Sequence, residues 1–282
     1  MSRPGTMYVA GAAERAPRTA APVRYLRIAA HFARIGVIRK SQFRAEFFAQ
    51  VIMDTIWYST HILTFEILFL HAGDIAGWSR EEIRVFLGCL FISDAFMMMW
   101  MGQSWRFGMD LKDGKLDPFR VRPGATIFLY FFQIFSLEAC FNMAIAASYL
   151  AYALGKVGAT PGLGGALMLL WALALACWAR AVTMILFSVS DIVFVNSSMG
   201  RLLNSFFGAA ADRPIDIFTR RIRLFLVYVV PVALMTHGPA SMILGRVGPG
   251  TGLFHTAWLS ALGLFTFRLW KRLFRRYESA MG

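Results

Sequence analysis

The stretch Asp110-Leu-Lys-Asp-Gly-Lys-Leu-Asp-Pro-Phe-Arg-Val-Arg-Pro-Gly124 is polar and compact, and it lies between two long apolar segments. It carries charges of both signs, and Gly114 permits a tight backbone turn within it. Pro118 and Pro123 prevent a helix from continuing through the stretch. We therefore expect a shaped docking element that protrudes from an apolar body, and not a loop that only joins two helices.

The composition of the whole chain is that of an integral membrane protein. Of its 282 residues, 57% are hydrophobic and 16% are charged, and the mean hydropathy is +0.55. Soluble domains of ordinary composition are far less apolar. The formal net charge of +13 therefore indicates one side of a membrane and not a nucleic-acid partner, because in an apolar chain the position of basic residues matters more than their sum.

Six apolar segments have the length of about 20 residues that a helix needs to cross the hydrocarbon core of a bilayer. They are residues 46–70, 83–104, 125–154, 163–195, 222–244 and 253–270. Lys and Arg are concentrated between the second and third segments, between the fourth and fifth, and after the sixth. By the positive-inside rule, both termini and the two basic loops are cytoplasmic. The sequence thus predicts an all-α polytopic protein with six transmembrane helices.

The regions that flank these segments have distinct compositions. Residues 1–22 are rich in Ala, Pro and Arg and predict a disordered cytoplasmic tail, and 23–44 predict a basic amphipathic helix on the inner leaflet. Residues 45–271 form the predicted transmembrane domain, with a cytoplasmic segment at 106–124. Residues 272–282 are a second cytoplasmic tail.

The fifth apolar segment contains residues that break helices, namely Pro231, Gly238 and Pro239. Such residues are tolerated at membrane depth where neighbouring protein or water satisfies the freed backbone groups. We therefore expect a broken, partly re-entrant hairpin at the outer surface, at about residues 231–250.

Several charged side chains lie within the apolar segments, where each is costly unless it is paired or faces water. The candidates near mid-membrane are Asp54, His61, Asp94, Glu138 and Arg180. We expect Arg180 to lie opposite Glu138 or Asp94. Two interpretations stay open at this point: these residues line a polar translocation path that attracts cations, or they are buried pairs that fix the register of the helices.

Other side chains point to no further chemistry. Asp191 lies near the end of its segment, where we expect it to reach water. No two histidines have metal-ligand spacing on one helix, so no metal site is predicted. The three cysteines lie in apolar segments and imply neither a disulfide framework nor a metal site. No catalytic residue is predicted.

Three separated motifs carry a resemblance to a known family: Gly114-Lys-Leu-Asp117 followed by Arg122-Pro123, then Arg213-Pro214-Ile-Asp-Ile-Phe218, and finally Arg276-Tyr277-Glu-Ser279-Ala280. In their order and spacing the chain resembles the membrane subunits of type-2 ABC exporters, in a branch of six-helix bacterial permeases. The resemblance implies a multi-pass protein of the bacterial inner membrane that forms half of an export pore. It also implies a second permease, identical or paralogous, and two cytoplasmic ATP-binding subunits.

The resemblance further implies that the polar stretch contains the helix that couples the permease to its ATPase. The residues expected there are Asp110, Lys112, Asp113, Gly114, Lys115, Leu116, Asp117, Arg120, Arg122 and Pro123. The chain contains no Gly-x-x-x-x-Gly-Lys-Ser/Thr phosphate-binding loop. We therefore expect no cofactor in this chain, and ATP and Mg²⁺ in the partner subunit.

Two other classes of function are alternatives to the exporter. A stand-alone secondary transporter could use the mid-membrane carboxylates as proton sites and would need no separate ATPase. An intramembrane enzyme would need a nucleophile paired with a base, or a metal cluster, and neither is visible in the sequence. The sequence does not indicate the cargo.

Overall fold

The computed structural model describes residues 21–42, 44–120, 125–158, 162–194 and 198–276, which are almost entirely helical. Outside the helices, these residues contain one isolated bridge, between Ile75 and Trp78. The expected all-α class is confirmed. The helices are α1 (Ala21–Gln42), α2 (Arg44–His71), α3 (Arg80–Met101), α4 (Phe107–Lys112), α5 (Asp117–Arg120), α6 (Thr126–Phe131), α7 (Glu138–Val157), α8 (Leu163–Val193), α9 (Met199–Ala211), α10 (Arg220–Tyr228), α11 (His237–Ile243) and α12 (Pro249–Arg276).

Three short 3₁₀ helices occur among them, at Gly102–Arg106, Ile215–Ile217 and Pro231–Met235. Two helical stretches of the described chain are long and apolar enough to cross a membrane by length and composition, Arg80–Lys112 and Leu163–Val193. The other four predicted crossings do not meet the same criterion within the described residues, and six crossings stay a prediction. The two tails expected at 1–22 and 272–282 lie largely outside the described residues.

Helix α3 is the centre of the core. It begins with a capping box in which the Ser79 hydroxyl accepts from Glu82 N and the Glu82 carboxylate accepts from Ser79 N. Its side chains from Val85 to Phe91 are almost completely buried against α7 and α8. The approach to α7 is very close at Gly88, where a Cβ atom would lie 2.7 Å from Leu150 Cδ1. Glycine is needed there for packing.

The third predicted segment, 125–154, is not one continuous helix. The structure contains the short helix α6, an irregular stretch at residues 132–137, and then α7. Ser136 N donates a hydrogen bond to Met99 O at 3.1 Å, so a backbone donor of the irregular stretch is satisfied by α3. This is a correction to the sequence-based expectation, and tertiary packing gives its physical reason.

Helix α9 begins near one end of the bundle. Gly200 N donates to Asp191 Oδ1 at 2.8 Å, and a Cβ atom on Gly108, just beyond α3, would lie 2.8 Å from the same oxygen. Residues 102–120, which follow α3, lie at this end.

The segment after α9 reaches the opposite end, where residues 72–79 join α2 to α3. Trp78 Nε1 donates to Asp216 Oδ2 at 2.8 Å. We expected a basic loop on one side between the fourth and fifth predicted segments, but residues 199–217 run from one end of the bundle to the other. Leu203 and Phe207, spaced one turn apart on α9, hold this helix against the core.

Residues 220–247 form a compact unit of short helices. Pro231 begins a 3₁₀ helix, and Gly238 and Pro239 lie in the buried part of α11. Thr236 Oγ1 donates to Ala211 O at 2.7 Å, which attaches the unit to the end of α9. Arg246 pairs with Glu82 at 2.6 Å, beside the loop that joins α2 to α3. The location of this unit at the outer membrane surface stays a prediction.

Helix α1 lies against the irregular region around α6. Ala125 N donates to the Tyr25 hydroxyl at 3.0 Å, and a Cβ atom on Gly36 would lie 2.5 Å from Phe135 O. Leu26, at 70% exposure, is among several apolar side chains that α1 leaves uncovered. This arrangement suits the interfacial role predicted for residues 23–44, which stays a prediction.

Candidate translocation path and coupling segment

A cavity of about 620 Å³ lies between α2, α3, α8 and α9. Three of the five charged residues singled out in the sequence lie in its wall: Asp54 on α2, Asp94 on α3 and Arg180 on α8. Asp212, which follows α9, completes the charged part of the wall. The remaining lining residues are mostly apolar or aromatic and include Met53, Ile56, Trp57, Met97, Met98 and Trp105.

Arg180 and Asp94 form an ion pair in the wall of this cavity. Both residues are 7% exposed. Of the two partners expected for Arg180, the structure selects Asp94 and not Glu138. The second terminal nitrogen of Arg180 contacts Met235 Sδ at 3.4 Å, and its Nε has no hydrogen-bond partner in the described ranges of the chain. This pair therefore ties α3, α8 and the unit at 220–247 together around one wall.

Asp54 is buried without a cation beside it. Its carboxylate accepts hydrogen bonds from the amides of Gln50 at 2.9 Å and Asn142 at 2.5 Å. Among the described residues it takes part in no ion pair, although it is only 7% exposed. Two neutral amide donors orient the carboxylate but do not cancel its charge.

A second cavity of about 400 Å³ continues along α2. It shares Thr60, Ala209 and Asp212 with the first cavity and extends to Ile75 in the loop between α2 and α3. His61 lies in its wall, with Nε2 3.6 Å from Asp212 Oδ2. The two cavities are thus arranged in series along the groove between α2 and α9, from the level of Trp105 to that of Ile75.

The other sequence candidates lie away from these cavities. Glu138 is buried in the first turn of α7 and lines neither cavity. Pro231, Gly238 and Pro239 lie in the buried unit of short helices and line neither cavity. The structure therefore separates the mid-membrane charges into a group that lines a groove and one that does not.

The polar stretch after α3 is anchored by a buried carboxylate. Asp110 is 3% exposed and accepts hydrogen bonds from the Tyr130 hydroxyl at 2.9 Å and from Gln103 Nε2 at 2.8 Å. Lys115 Nζ lies 3.5 Å from its other oxygen. These contacts connect α4 to α6 and hold the base of the stretch rigidly on the bundle.

The turn between α4 and α5 has the shape that its glycine allows. Gly114 has φ of +68°, a value that favours glycine, and Leu116 beside it is completely buried. Lys112, Asp113 and Lys115 are exposed at the tip. Lys115 Nζ donates to the Asp113 carboxylate at 2.8 Å, and this bond lowers the pKa of Asp113 below its usual range.

The end of the polar stretch can be placed only in part. Asp117 begins the single turn α5, which ends at Arg120. The Arg120 side chain, Arg122 and Pro123 lie outside the described part of the chain. The contacts predicted for these three side chains stay predictions.

Asp191 joins the polar stretch to the groove, and sequence reasoning missed this. We expected Asp191 to reach water, but it is 4% exposed. Its carboxylate fits between two helices at glycine positions, Gly108 on α4 and Gly200 on α9, neither of which leaves space for a Cβ atom. The sequence contains the three residues concerned, Asp191, Gly108 and Gly200. Gly108 is far from Asp191 along the chain, so no local pattern connects them.

Comparison with known proteins identifies the class to which this arrangement belongs. The family model for ABC-2 family transporter proteins matches residues 55–281, which is most of the chain. The comparisons with curated proteins and with solved structures returned no match. The chain belongs to the ABC-2 family of transporter proteins and is an ABC transporter permease.

Proposed function

We propose that this permease is half of the translocation path of an ATP-driven exporter in the bacterial inner membrane. Permeases of this family work with an ATP-binding subunit. The single observation that carries the proposal is the polar stretch after α3. The contacts of Asp110 fix its base, and the side chains of Lys112 and Asp113 are exposed at its tip. A rigid contact of this kind is what an ATPase needs to move helices on closure.

The end of the bundle that carries residues 102–120 is the cytoplasmic end in this proposal. The ATP-binding subunit docks on α4, α5 and the turn between them, and ATP and Mg²⁺ are bound by that subunit alone. A second permease, identical or paralogous, supplies the other half of the path. We take the six crossings to be α2, α3, α7, α8, residues 199–217 and α12. Residues 199–217 replace the segment 222–244 predicted from the sequence, because residues 220–247 form a compact unit at one end of the bundle.

Asp191 supports a route from the docking surface to the groove. Its carboxylate contacts the backbone of α9 at Gly200 and leaves no space for a side chain at Gly108 on α4. A displacement of α4 by the ATPase is transmitted to α9, because a close-packed junction cannot absorb movement. Helix α9 forms one side of both cavities, so the displacement changes the width of the path.

The test is purification of the tagged chain from its native membrane in a mild detergent, with identification of the subunits that co-purify and an ATPase assay. The proposal predicts recovery of a cytoplasmic ATP-binding subunit and one or two permease species. Recovery of an intact permease oligomer without any ATPase would contradict it and would favour a stand-alone transporter that uses Asp54 or Asp94 as a proton site.

A variant at the docking surface tests the mechanism. Asp117→Arg reverses one charge at the start of α5, and we expect it to abolish transport while the protein still inserts into the membrane. The matched control is Asp74→Arg, which makes the same change in the loop at the opposite end of the bundle and should leave transport intact. Normal transport by an ATPase-bound Asp117→Arg protein would contradict the assignment of the docking surface.

A further inference from the structure

The larger cavity has the size and composition of a ligand site. Its volume of about 620 Å³ is within the range of roughly 300–1,000 Å³ that is typical of small-molecule sites. Its apolar wall includes Trp57 and two methionines, Met97 and Met98, whose flexible side chains suit ligands of varied shape. Trp105 and Met53 are 40% and 63% exposed and lie at its mouth.

The charged groups in the wall do not balance. Three carboxylates line the cavity, those of Asp54, Asp94 and Asp212, and Arg180 is the one permanently charged cation among the described lining residues. Arg180 is engaged by Asp94, and Asp212 faces the imidazole of His61. Within the described part of the chain, the hydrogen-bond partners of the Asp54 carboxylate are two amides. Among the described lining residues, three carboxylates therefore stand against one guanidinium, in a wall that is mostly apolar.

The arrangement favours a cation that carries its own apolar surface. An inorganic cation would make no apolar contact with the aromatic and methionine side chains of the wall. An organic cation places its charge near Asp54 and its apolar body against Trp57. The Nε of Arg180 is buried and has no hydrogen-bond partner among the described residues, so it offers one donor to an oxygen on the same ligand. A negatively charged ligand would meet the uncompensated carboxylates.

We propose that this cavity binds a monovalent organic cation with an apolar body, oriented by the Asp54 carboxylate. The inference rests on the proposed function in one respect, that the bound cation is the cargo. The shared chemistry is an alkyl- or aryl-substituted cationic centre, which can be a free small molecule or the quaternary ammonium headgroup of a lipid.

Equilibrium binding to the purified full chain tests the proposal without any ATPase. The probes are tetraphenylphosphonium and tetraphenylborate, which have nearly the same shape and opposite charge, in uncharged maltoside micelles. We expect saturable binding of tetraphenylphosphonium and none of tetraphenylborate. Equal binding of the two ions, or saturable binding of the anion alone, would overturn the proposal without any variant.

Two substitutions of the same kind locate the site. Asp54→Asn keeps the shape of the side chain and removes the charge, and it should weaken tetraphenylphosphonium binding by roughly tenfold or more. Asp216→Asn makes the same change outside the walls of both described cavities and should leave the binding unchanged. Unchanged affinity in a folded Asp54→Asn protein would overturn the assignment.

Competition distinguishes the two sources of the cation. Displacement of the bound probe by added phosphatidylcholine, and not by phosphatidylglycerol, would identify a lipid headgroup as the ligand. Displacement by free quaternary ammonium compounds alone would identify a small molecule, and both results support the cationic site. Failure to bind any cation would overturn this inference but not the exporter, which is tested separately by recovery of the ATPase.

Discussion

Removing one partner of the Asp94–Arg180 pair should destabilise the protein strongly, whereas removing both should not. Both residues are 7% exposed, and their ion pair bridges α3 and α8 in the centre of the bundle. Loss of one partner of a buried pair leaves an uncompensated charge, at a cost of about 3–5 kcal/mol. For a protein of this size that corresponds to a fall in melting temperature of roughly 6–20 °C.

The measurement is a double-mutant cycle of Asp94→Leu, Arg180→Met and the combined variant, followed by intrinsic fluorescence of the 8 tryptophans on heating. The combined variant should recover most of the lost stability, since apolar replacements of a buried pair are often neutral or stabilising. If the combined variant were less stable than either single variant, the two residues would act independently and the pair would not explain their burial.

The same cycle separates the two interpretations of the mid-membrane charges. The combined variant retains Asp54, so we expect it to bind tetraphenylphosphonium with an affinity near that of the unmodified chain. That result would make Asp94 and Arg180 a structural pair that fixes register, and would leave Asp54 as the residue that selects the cation. Loss of binding in a stable combined variant would instead assign the pair to the ligand site.

Three further predictions concern the packing and the coupling segment. Gly88→Ala should destabilise the contact between α3 and α7 by about 1–3 kcal/mol, whereas Gly155→Ala, which has open space around it, should not lower the melting temperature. Gly108→Ala should uncouple ATP hydrolysis from transport, because its Cβ atom would clash with the Asp191 carboxylate. Gly102→Ala, which has open space around it, should leave coupling intact, and both variants are measured in reconstituted vesicles. Tyr130→Phe removes a hydrogen bond to a buried carboxylate and should cost about 1.5–3 kcal/mol, measured by thermal unfolding.

Local sequence signals predicted the helical class and the shaped polar stretch. Gly114 between charged residues predicted a tight turn, and the structure has this turn, with φ of +68° at Gly114. Asp54 and His61 are seven residues apart, a spacing that places both on one face of α2, and this face borders the groove. These features depend on neighbours within a few residues, which is why they can be read from one sequence.

Features that depend on distant contacts could not be predicted in the same way. Apolar content alone made residues 125–154 look like one helix, whereas the irregular stretch at 132–137 is held by a bond to α3. The segments counted as crossings left the residues between 195 and 222 as a loop, and the positive-inside rule then placed this loop in the cytoplasm because of its arginines, among them Arg201. The burial of Asp191 depends on two glycines from other helices, and no local pattern indicates that meeting.

The central claim is that an ATP-binding subunit docks on the polar stretch after α3. Photo-cross-linking from the exposed tip of this stretch tests it most directly. A benzoylphenylalanine placed at Lys112, which is exposed beside the turn, should cross-link to a cytoplasmic ATP-binding subunit in native membranes. The same group at Asp74, exposed in the loop at the opposite end, should give no such product. Cross-linking of the ATPase to position 74 would contradict docking at the polar stretch. The absence of a cross-link from position 112, in a complex that retains its ATPase, would contradict it equally.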